Sequence, residues 1–156
     1  MRKRSKYRPR PVLANPVGYV LESISPVTAH SDHILDLKIK NHGAMQALTR
    51  GEASRSDIDL LVAMVNMTEA LWRLGFGKEY KQELMDGLDA LHAVGTRGAK
   101  SGEFILKASE MNAINTVMDL HDAQMDVITI RDLERGLEIV MQEHKHKRMR
   151  HMKEMV

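Results

Sequence analysis

From Asp57 to Leu74 the chain reads DIDLLVAMVNMTEALWRL, and its polar side chains fall almost on one line. Asp59, Asn66, Glu69 and Arg73 are separated by seven, three and four positions, which places them on one narrow strip of a helix. Around that strip stand Ile58, Leu60, Leu61, Val62, Met64, Val65, Met67, Leu71, Trp72 and Leu74. A helix apolar over most of its circumference needs cover on several sides, so this one is predicted to lie at the centre of a bundle. Ser54 and Ser56, each three residues before an aspartate, are N-cap candidates, and Gly75 is the stop signal.

The same reading supplies the neighbours. Asn15-Pro16 opens a short helix through about Glu22, which Pro26 ends. A second helix is expected from Thr28 or Ser31 to Arg50, burying Ile34, Leu35, Leu37, Ile39, Met45 and Leu48, with Gly51 closing it. After the Gly75-Phe76-Gly77 turn, a helix from about Lys78 to Val94 carries Tyr80, Leu84, Leu88 and Leu91. Gly95 to Gly102 reads as a flexible basic connection, followed by a helix over Glu103 to Val127. Thr129 and Asp132 form a capping-box pattern ahead of a last helix that would bury Ile130, Leu133, Leu137, Val140 and Met141. No alternating strand pattern and no fixed-period repeat occurs. The expected fold is therefore all-α: one single-domain helical bundle of about five longer helices plus one short helix, over residues 14–143.

Composition changes this picture little. The 156 residues suit one domain, and the absence of cysteine excludes disulfides and thiolate metal sites. Twelve methionines with 4% aromatics predict a pliable aliphatic core, with Met64, Met67, Met85, Met111, Met118 and Met125 as members. No apolar run is long enough for a membrane span, and no signal-peptide apolar region follows the basic start, so a cytoplasmic, membrane-free protein is expected.

Charge changes it more. The net +2 divides sharply along the sequence. Arg2, Lys3, Arg4, Lys6, Arg8 and Arg10 give residues 1–10 a charge of +6; Lys145, Lys147, Arg148, Arg150 and Lys153 against Glu154 give residues 144–156 a charge of +4. Between them, 12 basic side chains face 20 acidic ones. Residues 1–13, with Pro9 and Pro11, are expected to be an extended basic arm, and residues 144–156 a basic tail continuing the last helix. Such ends can neutralise phosphates, and Tyr7 can stack on a base; equally, they can fold back onto the chain's own acidic body.

Other patterns carry less. Asp119, Asp122 and Asp126 line one side of a helix near its C-terminus, where they repel each other and oppose the macrodipole. They are either a solvated face, pairing with Arg131 or Arg135, or an acidic docking surface for a basic protein. His30 and His33 beside Asp32 and Asp36, and His121 beside Asp122, complete no metal motif, and no metal or cofactor is expected. Gly75-Phe76-Gly77-Lys78 follows a helix and precedes Glu79, so it is not a P-loop; Gly95-Thr96-Arg97-Gly98 has the GxxG form without the strands of a KH fold. Glu69 is spaced to pair with Arg73 and lacks a second member for acid–base chemistry.

RSKYRP near the start, KNH at 40–42 and NMTEAL at 66–71 together make the chain resemble small helical proteins encoded by proteobacterial phages and prophages, over most of its length. The resemblance implies an accessory role in the bacterial host cytosol, in DNA metabolism, regulation or countering host defence, and assigns no residues. Two function classes stand. The first is a non-enzymatic binding protein that engages nucleic acid or a nucleoprotein complex through Arg2, Lys3, Arg4, Lys6, Tyr7, Arg8, Arg10, Lys145, Lys147, Arg148 and Arg150. The second is an inhibitor of a host defence complex, anti-CRISPR-like or otherwise anti-defence, acting by protein–protein contact through Asp119, Asp122 and Asp126. A hydrolase ranks last, and the numerous apolar helices are compatible with a homo-oligomer.

Overall fold

The Ser54 backbone N–H donates to Asp57 Oδ2 at 2.8 Å, and the Asp57 N–H donates back to Ser54 Oγ at 3.3 Å. This reciprocal cap starts the helix around which the others pack. The Ser54 hydrogen bonds also hold the Asp57 carboxyl below its ordinary pKa. The computed structural model describes residues 15–146. Among them are α1 (Pro16–Ser23), α2 (Ser31–Thr49), α3 (Arg55–Arg73), α4 (Lys81–Ser101), α5 (Ala108–Val127) and α6 (Ile130–Lys145), with 3₁₀ turns at Val27–His30 and Lys78–Tyr80. The described residues contain no β-strand, and none of their helices is long and apolar enough to cross a membrane.

Helix α3 touches α2, α4, α5 and α6, the central position that its apolar circumference predicts. Ile58, Leu61, Val65 and Leu71 are fully buried. They divide between two clusters. The larger joins α2, α3, α4 and α5 through Leu48, Leu61, Leu84, Val94 and Ile114. The smaller, around Val27, Leu71, Met125 and Ile128, receives Ile130 and Leu133 of α6. The two linkers flanking this second cluster are tied together: Val27 N–H donates to Ile128 O, and Ile130 N–H to Ser25 O, each at 3.0 Å. That clamp holds α1 beside the start of α6.

Several sequence expectations are corrected. Residues 95–101 are helical, as the last two turns of α4. Glycine there supplies closeness rather than flexibility: a Cβ at Gly98 would overlap the Phe104 ring, and one at Gly87 would overlap Val117 and come within 3.2 Å of Ala113 O. The chain turns only at Gly102, whose φ of +84° lies in the left-handed region, and α5 begins at Ala108 instead of Glu103. Asn66 is buried, because α3 is enclosed on that side as well. Conversely Leu35, Ile39, Leu137 and Met141 are exposed, since α2 and α6 lie at the edge of the bundle and are covered on one side only, and Met85 is exposed on the outer side of α4.

Candidate functional site

Of the basic residues singled out above, Lys145 lies in the last turn of α6 and is exposed, where positive charge complements the helix dipole. Arg2, Lys3, Arg4, Lys6, Tyr7, Arg8, Arg10, Lys147, Arg148 and Arg150 lie outside the described residues. The acidic stripe is fully described. Its partners sit on α2 and not on α6. Lys38 Nζ donates to Asp126 Oδ1 at 2.9 Å, and His42 Nε2 donates to Asp122 Oδ2 at 2.8 Å. Positions 38 and 42 are one helical turn apart, as are 126 and 122, so two antiparallel helices meet in register. This explains why three aspartates are tolerated near the C-terminus of α5: two are answered by hydrogen-bond donors from a neighbouring helix, one of them the Lys38 ammonium. Arg131, one expected partner, instead donates to Ser23 Oγ at 3.1 Å.

Asp119 stands apart. It is exposed and borders an open hollow of about 230 Å³ between the Lys78–Tyr80 turn, α4 and α5, together with Tyr80, Glu83, Thr116 and Leu120. The turn next to it is built for structure. Gly77, with φ +77°, lies against Leu120, and Lys78 sits over the Trp72 ring at 4.2 Å while its carbonyl accepts from Trp72 Nε1 at 3.4 Å.

Behind the α2–α5 pairs lies a buried polar row that spacing alone does not announce. Thr68 Oγ1 donates to Met64 O at 2.9 Å, so at 3.1 Å it accepts from His121 Nδ1, which fixes the imidazole tautomer. Gln124 Nε2 donates to Thr68 O and Phe76 O at 3.2 and 3.0 Å. Burial lowers the pKa of His121 to about 4; Asp122 opposes the shift and Lys38 adds to it. The imidazole is therefore neutral at pH 7, with Nε2 an acceptor. His121 Nε2, Asp122 Oδ1 and both amide atoms of Asn41 are buried without a hydrogen-bond partner among the described residues. The one sequence signal for this seam was the matched four-residue spacing of Lys38/His42 and Asp122/Asp126.

Across α5, the seam with α4 carries an ionic contact. Arg97 grips Glu110 in a two-point pair at 2.7 and 2.6 Å and also donates to Ile105 O at 2.9 Å. That pairing holds the Glu110 carboxyl below its ordinary range and raises Arg97. Glu69 and Arg73 form the expected pair at 2.7 Å, and Arg73 also meets Glu143 of α6 at 3.4 Å. These contacts bind helices together. Among the described residues no group of three or more histidine or acidic side chains is arranged to hold a metal ion. Compared with protein-family models, with curated proteins and with solved structures, the chain matches none.

Proposed function

We propose that this is a non-enzymatic accessory binding protein, of the kind phages encode, which engages nucleic acid or a nucleoprotein complex through its basic ends in the bacterial host cytosol. The division of charge carries the reading: +6 over residues 1–10 and +4 over residues 144–156 flank an acidic body. The pairing of Asp122 and Asp126 with His42 and Lys38 supports it, because much of the acidic stripe is already occupied. Lys145 adds support, since it is exposed where the basic sequence begins.

The test is binding of the full-length protein, and of a variant lacking residues 1–10, to random single- and double-stranded DNA and RNA across a salt series. Affinity should fall as salt rises, with a logarithmic slope of about 0.9 per duplex phosphate contacted, and the deletion should flatten that slope. No binding at low salt, or an unchanged slope after deletion, overturns the proposal.

A second reading is favoured by one observation, the hollow bordered by Asp119 and Glu83 beside the apolar faces of Tyr80 and Leu120. An inhibitor of a host defence complex could seat a basic, partly apolar partner segment there. Neutralising Asp122 and Asp126 would also strip α2 of its partners, so the discriminating variant is Asp119→Asn with Glu83→Gln. Loss of an anti-defence phenotype in that variant, with nucleic-acid binding intact, would replace the first reading with this one.

A further inference from the structure

Helix α1 is turned inside out. Val17, Val20, Leu21 and Ile24 follow the i, i+3, i+4, i+7 spacing of one helix face, yet they are 69%, 49%, 61% and 51% exposed. The side facing the body carries Ser23, which is buried and receives the Arg131 guanidinium. The helix is not loose at its ends. Asn15 caps its start through Gly18 N–H at 2.9 Å, and the Ser25–Ile130 and Val27–Ile128 hydrogen bonds anchor the segment that follows. Its orientation is therefore fixed with the apolar face outward.

A second apolar surface is left open on α2. Leu35 and Ile39, one turn apart, are 57% and 60% exposed on the side away from Ala44 and Leu48. Next to them Thr28, Ser31, Asp32, Ile34, Leu35 and Lys38 line an open, mainly apolar hollow of about 300 Å³, whose two charged side chains are of opposite sign.

We propose that these two surfaces dock on each other between two copies of this chain, the outward face of α1 in one copy seating in the α2 hollow of the other. A two-fold axis makes the contact reciprocal, so one chain supplies both halves of a closed interface. The mode is a helix laid in a groove, with side chains at i, i+3, i+4 and i+7 as anchors. Area supports a copy as the occupant. The six exposed side chains of the two surfaces offer roughly 600 Å² of apolar area, against the ~500 Å² of apolar surface within a standard interface of ~800 Å² per partner. Charge supports it too. From Pro16 to Ile24 the only ionisable side chains are Tyr19 and Glu22, so the face offers no complement to a strongly charged partner. The dimer stands independently of nucleic-acid binding.

The test is the mass of the full-length protein by sedimentation equilibrium over a concentration series. Twice the 17.7 kDa chain mass is expected. Leu21→Glu and Leu35→Glu, at exposed positions, should each leave the thermal transition of the monomer intact while weakening self-association at least about a hundredfold, because each change occurs twice in the interface. The chain lacks cysteine, so a mixed experiment is clean. Leu21→Cys protein oxidised together with Leu35→Cys protein should give a mixed disulfide dimer in greater yield than either alone. A wild-type protein that stays monomeric at micromolar concentrations overturns the proposal, as does a dimer that both glutamate variants leave unchanged. Absence of the mixed disulfide in a protein that does dimerise overturns this pairing of surfaces.

Discussion

Helix α5 is held on two sides by opposite means. Against α4 the contact is close and mostly apolar: Gly87 makes room for Val117, Gly98 makes room for Phe104 of the segment that leads into α5, and the Arg97–Glu110 pair anchors one end of the seam. Against α2 the contact is polar, made by Lys38 and His42 reaching Asp126 and Asp122, while Asn41 and His121, each next in sequence to a member of these pairs, are buried. Shape fixes the first seam, and protonation can act on the second. The distinction predicts different responses to pH and to single-atom changes in volume.

The largest expected effect belongs to the polar side. The His121 pKa is about 4 in the folded protein against about 6.5 unfolded, so between those values the unfolded chain binds the extra proton. The neutral imidazole's contribution is present above about pH 6.5 and lost as pH falls toward 4, a change of up to roughly 3 kcal/mol. His121→Leu leaves Thr68 bonded to Met64 O and should flatten this part of the profile. Urea denaturation of both proteins from pH 7 to pH 4 measures the difference; parallel profiles would refute a buried neutral histidine.

Next is a pair of identical substitutions on the two sides. Gly87→Ala gains about 1 kcal/mol of helix propensity but drives a methyl into Val117 and toward Ala113 O, which β-branching and backbone cannot easily yield. A net loss of about 2 kcal/mol, near 6 °C in Tm, is expected. Gly43→Ala in α2 meets nothing within 4 Å and should instead stabilise by roughly 0.5–1 kcal/mol. Thermal melts of the two variants decide it, and shifts of the same sign would mean that α4 and α5 do not approach as described.

The smallest effect sharpens the polar seam. Asn41 is buried with neither amide atom bonded within the described residues. Asn41→Leu, with the same heavy-atom branching but greater bulk, removes a desolvated polar group and should stabilise by about 0.5 kcal/mol at pH 7 once crowding is set against the gain. A destabilised variant would show that the amide is satisfied in solution and belongs to the working network.

These contrasts also mark what the sequence could disclose. Helix α3 was legible because apolar periodicity, the Ser54/Asp57 cap and Gly75 agree. The end of α4 is hidden in the sequence because Gly95, Gly98 and Gly102 look alike as letters, although only Gly102 turns the chain and Gly98 makes room for Phe104. In the candidate acidic surface, the aspartate spacing was visible, but Lys38 and His42 lie 88 and 80 positions from Asp126 and Asp122. Periodicity shows that α1 has an apolar face and cannot say which way it points; Ser23 and Arg131, 108 positions apart, decide that.

That separation has a consequence for synthesis. Helix α1 rests on the start of α6, so while the chain is being made its resting place does not yet exist. At ~5–20 residues per second, on the order of ten seconds pass between emergence of the two segments. Throughout that interval Val17, Val20, Leu21 and Ile24 are offered to whatever stands near the ribosome, including a sister chain on the same message.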